Sequence, residues 1–304
     1  LHKIQNQSTL EDWKVFQWFD PRFYGEFLVE ATVLPDVCPA GLIPNGTKAV
    51  AKKTWLDVYQ FREIIGDIGC AMSIAKAEGF SNTELRKVWN QLYASLKETG
   101  KTVLGSGNHF IDACTNARGE LFIIVHVGSR MTSEEKSAFR FERDYARCLK
   151  RAEDNHAEIW SHAAAAFGRI GPVRNFRHDA AEITGDLMIL HKGVLRAPAG
   201  SDVLIASSFD DAILIGKTRP EISKWSDSVS HGTGRIASRG EAKSLPVATE
   251  TIKARLIIPD DLPDSRWRQE APVHYRPLSA ILPKLEEVVE IGDRLIPAAF
   301  MGGF

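Results

Sequence analysis

A single large domain that mixes β-strands with helices is the fold class this sequence predicts, and three observations lead there. The chain has 304 residues, a length that large single-core α/β or β-rich domains routinely reach. Hydrophobic residues make up 44% and charged residues 25%, enough for a substantial buried core and too balanced for disorder. Strand-like and helix-like stretches then follow one another without a linker, an internal repeat or a low-complexity segment, so residues 1–304 read as one domain.

Residues 1–35 show no clear period except an apolar stretch, Phe27 to Leu34, which reads as a strand. Thr54 to Ile65 fits either a strand or a short helix and leads into Gly66-Asp67-Ile68-Gly69-Cys70, where the glycines predict a tight turn. Ser81-Asn-Thr-Glu84 has the spacing of a capping box. Leu85, Val88, Trp89, Leu92 and Leu96 recur behind it at helical intervals, predicting a helix over 82–98 that Gly100 ends. Glu120 to Val127, rich in β-branched residues, predicts a buried strand that delivers His126 near its end. Thr132 to Phe167 reads as one long helix or two successive ones, with His156 and His162 as polar side chains on its solvent face. Leu187 to Leu190, Val203 to Ala206 and Ala212 to Gly216 read as strands between glycine, proline and aspartate turns. Residues 280–290 predict a terminal helix, followed by a Pro297 to Phe304 tail.

Lysine and arginine number 38 against 39 acidic residues, so no chain-wide basic field exists and any RNA contact is local. The longest apolar runs are too short to span a bilayer and no signal-peptide pattern opens the chain, which predicts a soluble, cytoplasmic protein without a membrane partner. Cys38, Cys70, Cys114 and Cys148 form no C-x-x-C pair and no disulfide framework, the pattern of reduced thiols.

Chemistry concentrates in five stretches: Asp67-Ile-Gly-Cys70, Gly107-Asn-His-Phe110, His126-Val-Gly-Ser-Arg130, Arg177-His-Asp179 and His231-Gly-Thr-Gly-Arg235. A glycine beside a histidine clears space for a ligand, and successive N–H groups in such turns cradle anions. Cys70 as a thiolate is a strong ligand for zinc- or manganese-like ions, and Asp67 can join it on the same turn. By itself the pair more often reads as a buried small thiol near an acid. His109, His126 and His178 add imidazoles, each of which alone has a structural reading. Ser129 and Arg130 suit phosphate oxygens. His231 stands apart: an imidazole can attack phosphorus and hold a phosphoramidate, with glycine N–H groups and Arg235 stabilising the developing charge and Ser238-Arg239 extending the surface. Its alternative is a glycine turn with a hydrogen-bonded histidine. P-loop, H-E-x-x-H and G-x-S-x-G patterns are missing from the sequence.

The ordered set Asp67-Ile-Gly-Cys-Ala-Met72, Gly105-Ser-Gly-Asn-His-Phe-Ile-Asp112, Val125-His-Val-Gly-Ser-Arg130, His178-Asp179, His191-Lys-Gly-Val194 and His231-Gly-Thr-Gly-Arg235 resembles the RtcB-type RNA ligases. Likeness extends from about Asp36 to Tyr275. The resemblance implies an α+β architecture of packed β-sheets surrounded by helices, with a central metal and nucleotide cleft. It also implies joining of an RNA 3′-phosphate or 2′,3′-cyclic phosphate end to a 5′-hydroxyl end, in tRNA splicing or RNA repair, with GTP and two manganese ions, and it leaves room for a separate activating protein. Cys70 would bridge the ions, Asp67 and His109 on one, His126 and His178 on the other. His231 would take GMP from GTP. Asn108, Phe110, Asp112, Asp179, Ser208, Thr233, Gly234 and Tyr275 would contact the guanylate, and Ser129, Arg130, Lys192, Arg235 and Arg239 the phosphates.

The sequence departs from that pattern beside the nucleotide. A cysteine, Cys38, follows Asp36-Val37 where the family has histidine; Asp112 replaces glutamate and Asp179 asparagine. Ile205-Ala-Ser-Ser-Phe-Asp210 lacks the family's proline and glycines, and no lysine follows Phe300. Two other readings remain at this level: a metal-dependent phosphatase or phosphodiesterase on RNA ends, and a non-catalytic RNA-binding paralogue.

Overall fold

A computed structural model describes residues 3–99, 104, 108–236, 241 and 245–302, and the architecture is α+β with large sheets. Fourteen strands are present among the described residues: β1 (Ile4–Asn6), β2 (Leu28–Cys38), β3 (Asn45–Lys52), β4 (Ala71–Lys76), β5 (Phe110–Thr115), β6 (Leu121–Val127), β7 (Arg174–Arg177), β8 (Asp179–Thr184), β9 (Leu187–Lys192), β10 (Val194–Arg196), β11 (Asp202–Ile205), β12 (Ile213–Thr218), β13 (Ser228–Ser230) and β14 (Val289–Gly302). Seven of them form an antiparallel sheet in the order β11-β12-β14-β5-β6-β4-β7. Five form a second sheet, β1-β2-β3-β9-β8, in which only β1 and β2 run parallel. A short ribbon pairs β10 with β13.

The two sheets meet in sequence at one point. β7 is an edge strand of the larger sheet and β8 an edge strand of the smaller, and His178 is the only residue between them. The site grows from that junction.

Helices cover the larger sheet because each presents one apolar stripe. In Leu85–Glu98 the stripe is Leu85, Val88, Trp89, Leu92, Tyr93 and Leu96, all buried. The Phe141–Phe167 helix spans both cores: Phe141 and Cys148 pack into the cluster under the smaller sheet, whereas Ile159, Trp160, Ala163 and Phe167 pack with Trp89 and Leu92 against the larger. The opposite face of the larger sheet is closed by Ile124, Leu204, Leu214, Trp225, Leu285 and Leu295. No helix among the described residues is long and apolar enough to cross a membrane.

Several local expectations are met and several are corrected. The Phe27 to Leu34 strand is present as β2, and it runs on to Cys38 because Val33, Leu34 and Val37 are fully buried. The 54–65 region forms two 3₁₀ turns, Lys53–Asp57 and Phe61–Glu63. The helix over 82–98 starts with a 3₁₀ turn, Asn82–Glu84, and Ser81 spends its hydroxyl on Thr83, so the capping box does not form there. It forms instead at Thr132, whose hydroxyl accepts from the Glu135 N–H, opening Ser133–Ala138 and giving the second of the two readings for 132–167. Gly100 lies outside the described residues.

The largest correction concerns the end of the chain. Only Leu282–Glu286 is helical within 280–290, and the expected tail is the second half of β14, a central strand of the larger sheet. Pro297 disguises it, since a central strand cannot spare a backbone donor; the structure absorbs the proline at a register shift between Pro297 and Ala299. His156 is a second correction. It is buried, with Nδ1 on the Ser73 hydroxyl at 2.9 Å and Nε2 on the Val127 carbonyl at 3.1 Å, and Trp160 also donates to Ser73. A histidine on a charged helix gives no hint of a polar partner on β4. His162 likewise contacts Ser95, at 2.6 Å.

Candidate metal and nucleotidyl-transfer site

Asp67 and Cys70 share a turn between the 3₁₀ segments and β4, closed by the Cys70 N–H donating to the Asp67 carbonyl at 3.2 Å. The turn is fixed on Asp67. Its Oδ1 accepts from the Ser129 hydroxyl and the Arg130 N–H, both at 3.0 Å, and its Oδ2 lies 2.7 Å from His109 Nε2. Burial alone would raise the Asp67 carboxyl, but hydrogen bonds and charge from His109, then Arg130 N–H and Ser129, outweigh it and hold it below its ordinary value. Gly128 permits this approach, because a Cβ there would fall on the Asp67 carboxylate, 2.7 Å from Oδ1. Gly128→Ala is therefore expected to push the carboxylate off Ser129 and Arg130 and to weaken metal binding by about 10-fold to 100-fold, as loss of groups that orient a ligand does, read by titration with manganese.

Around Cys70 the sulfur lies 3.2 Å from His126 Nε2 and 3.7 Å from His109 Nε2, and His126 Nε2 lies 3.1 Å from His178 Nε2. Each imidazole is oriented from behind by a backbone carbonyl on Nδ1: Leu104 for His109 at 2.8 Å, Asn108 for His126 at 2.9 Å, Phe176 for His178 at 3.3 Å. A carbonyl only accepts, so each Nδ1 carries a proton; His126 and His178 then present a lone pair at Nε2, whereas His109 Nε2 faces the Asp67 carboxylate. Burial, followed by neighbouring histidines, pushes His126 and His178 well below the ordinary imidazole value and keeps them neutral. Two lone pairs facing across 3.1 Å repel unless a cation lies between them.

The same residues sort into two donor groups sharing one sulfur: Asp67, Cys70 and His109, and Cys70, His126 and His178, each with ligand atoms within 4.8 Å of one another. Burial, with Asp67 and Asp179 nearby, pushes the Cys70 thiol far up, so a thiolate there calls for compensating positive charge. Imidazole, thiolate and carboxylate together suit manganese or zinc. All five sequence-predicted ligands are brought together.

His231, at the end of β13, stacks on His178 with ring centroids 4.6 Å apart. Its Nδ1 lies 2.9 Å from Asp36 Oδ2 and 2.7 Å from the Gly193 carbonyl. Two acceptors fix a proton on Nδ1 and leave the ring's lone pair to Nε2. Burial would lower this histidine, yet the Asp36 hydrogen bond and charge, then Asp179 and the Gly193 carbonyl, hold it above its ordinary value.

Asp36 has no role in the sequence reading, although it is fully buried and orients the imidazole. Its signal was an acid inside the otherwise apolar run of β2, Val33 to Val37, with Thr32 before it. Gly234, at φ 79°, lets the next turn press against the Asp36 carbonyl. Arg276 ties these segments by donating to the Val37 carbonyl at 2.6 Å.

Other predicted positions take varied places. Asp179 Oδ1 accepts from the Gly193 N–H at 2.7 Å, and burial pushes its carboxyl up to about 6. Lys192 spends its ammonium on the Ala40 and Ile43 carbonyls at 2.5 and 2.8 Å, and burial brings it down to about 8. Arg235 lies over the Tyr275 ring at 4.9 Å and binds Glu270 at 3.0 Å, and the Tyr275 hydroxyl also meets Glu270. Phe110 stacks on Phe300 and meets the edge of His126. Asp112 is buried on β5 without a hydrogen bond to Oδ1, and burial raises its carboxyl well above the usual range. Thr233 and Ser208 are buried, and Asn108 lends its carbonyl to His126. Gly105, Ser106, Gly107, Ser238 and Arg239 lie outside the described residues.

Known proteins share sequence with this chain. Residues 149–303 match the family model described as tRNA-splicing ligase RtcB, a range that holds His178, His231 and Tyr275. The chain is 22% identical over 236 residues to the RNA-splicing ligase RtcB of Escherichia coli strain K12, covering 62% of this chain and 57% of that one. RNA-splicing ligase RtcB1 of Escherichia coli strain ATCC 25922 matches at the same 22%, with the same coverage. The chain thus spans little more than half the length of the curated relatives it matches.

Proposed function

The chain belongs to the RtcB family, and from that premise we propose that it is an RNA ligase joining a 3′-phosphate or 2′,3′-cyclic phosphate end to a 5′-hydroxyl end through a guanylylated His231, with GTP and two manganese ions. One observation carries the reading: a sulfur and neutral Nε2 atoms converge with lone pairs inward, and a histidine with a free Nε2 is stacked directly on one of them. Hydrolysis by a metal-bound water would need no such histidine, which favours nucleotidyl transfer over a phosphodiesterase. Residues 1–304 act in this proposal as one catalytic unit, since β2 of one sheet and β5 and β6 of the other all supply site residues.

Asp67, Cys70 and His109 would hold one ion, and Cys70, His126 and His178 the other. Bound there, such cations neutralise triphosphate charge and polarise its oxygens. The chain's own steps start at His231. Asp36 and the Gly193 carbonyl keep the proton on Nδ1, so the Nε2 lone pair attacks the α-phosphorus of GTP, forming a P–N bond as pyrophosphate leaves. The imidazolium so created is balanced by Asp36. An oxygen of the RNA 3′-phosphate then attacks the guanylate phosphorus, and the P–N electron pair returns to Nε2. The 5′-hydroxyl finally attacks the activated RNA phosphorus and displaces GMP.

Mass spectrometry after exposure to each nucleoside triphosphate with manganese tests this. A guanylate adduct on the peptide holding His231 is the expected result. Release of phosphate from RNA ends with no adduct would replace the ligase by the phosphodiesterase reading.

A further inference from the structure

Away from the metal donors, a cavity of about 540 Å³ opens where the edge strands β7 and β8 of the two sheets come together. Its walls are the four residues of β7, parts of β8, β9 and β10, and Tyr145 on the Phe141–Phe167 helix. Two of those walls lead straight into the candidate site. β7 runs into His178, and β10 pairs with β13, which runs into His231.

Its lining has two characters. Phe176 and Tyr145, with small apolar neighbours on β8 and β10, give an apolar part, and Arg174, Arg177 and Arg196 stand in the same lining with the Asn175 amide. Each guanidinium meets one carboxylate: Asp202 at 3.2 Å, Glu153 at 3.1 Å and Glu182 at 3.4 Å respectively. A guanidinium has five N–H donors, so these contacts steady the side chains and leave donors for a further anion. His191, only 4% exposed, also lines the cavity, and its Nδ1 has no hydrogen-bond partner. A buried ring nitrogen left unsatisfied costs stability unless a ligand or water meets it.

We propose that this cavity seats a nucleotide of single-stranded RNA next to the end being joined, its base against the apolar lining and its phosphates on Arg174, Arg177 and Arg196. The inference rests on the RNA-joining reading for its choice of occupant. Aromatic and apolar surface for an unstacked base, a buried ring nitrogen and an amide for base edges, and guanidiniums for the backbone are the combination that single strands use. An acidic peptide would use the arginines but neither the buried His191 nitrogen nor the Asn175 amide.

The test measures anisotropy of a short fluorescein-labelled single-stranded RNA against wild type and Arg174→Ala/Arg196→Ala across a salt series. Loss of two phosphate contacts is expected to weaken binding about tenfold or more and to flatten the slope of log K against log salt by about 1.4. Unchanged affinity and slope, or equal displacement of the RNA by an acidic peptide of matched charge, overturns the proposal. Should the double variant fail to melt cooperatively, wild-type protein photo-crosslinked to thiouridine-containing RNA decides: crosslinks on the peptides holding Tyr145 or Phe176 support it, and crosslinks confined elsewhere overturn it. The two readings fail separately. RNA held in the cavity by a protein that forms no His231 adduct sinks the ligase alone, and an adduct without RNA in the cavity sinks the cavity alone.

Discussion

Cys70→Ala is expected to leave the purified protein with essentially no tightly bound manganese, where the proposed centre gives wild type two ions per chain. The sulfur belongs to both donor groups, so one substitution removes a ligand from each. Loss of a group that merely orients a ligand costs about 10-fold to 100-fold in affinity, and loss of a shared anionic ligand exceeds that, at least about 100-fold per ion. Titration calorimetry and metal analysis after gel filtration read the effect. Wild type should also melt higher with manganese, by the equivalent of about 2.7 kcal/mol when the ion stands at 100 times its Kd. Cys70→Ala should lose that increment while keeping its ion-free melting temperature, since a small thiol removed from one buried site costs little by comparison. Retention of two ions in the variant would dismantle the proposed centre.

His231→Ala should abolish covalent nucleotide labelling, and Asp36→Asn should reveal how the imidazole is prepared. An imidazolium has no lone pair on Nε2, so labelling rises with pH through the folded value of His231, which Asp36 holds above the usual 6.5 or so. Removing the Asp36 charge lets burial dominate, and the acid limb of the rate profile should move to lower pH. At high pH, where both proteins hold a neutral ring, the variant should still be slower by about 100-fold. That is less than the roughly 10⁴-fold cost of losing a triad aspartate, because the Gly193 carbonyl continues to fix the tautomer. An acid limb that stays in place in Asp36→Asn would remove Asp36 from this role. Wild-type labelling in His231→Ala would remove the nucleophile.

How much of this could be read from residues alone depends on whether the signal was local. Asp67, Cys70, His109, His126, His178 and His231 each sit beside glycines or at a strand end, and the structure gathers all of them. The Leu85–Glu98 helix and β6 were legible because their periodicity and β-branching are local properties. Asp36 was not, since its meaning comes from a histidine 195 residues away. His156 was hidden for the same reason, its partner lying on β4, 83 residues back. β14 was missed because Pro297 argues locally against a central strand, and only the register shift opposite β5 makes it admissible. Arg235 shows the converse: its guanidinium, read as a phosphate clamp, is engaged by Glu270, Tyr275 and the Gln269 carbonyl, partners that nearby sequence does not announce.

β14 has a consequence for how the molecule comes into being. It lies between β12 and β5, so until residues 289–302 leave the ribosome the larger sheet exists as two fragments with raw facing borders, β11-β12 on one side and β5-β6-β4-β7 on the other. Such borders are templates for mispairing between nascent chains, and sealing them relies on contacts far apart in sequence. Assembly of the larger sheet therefore waits on this strand, and the two half-sheets are sheltered only when it slots into the gap between them.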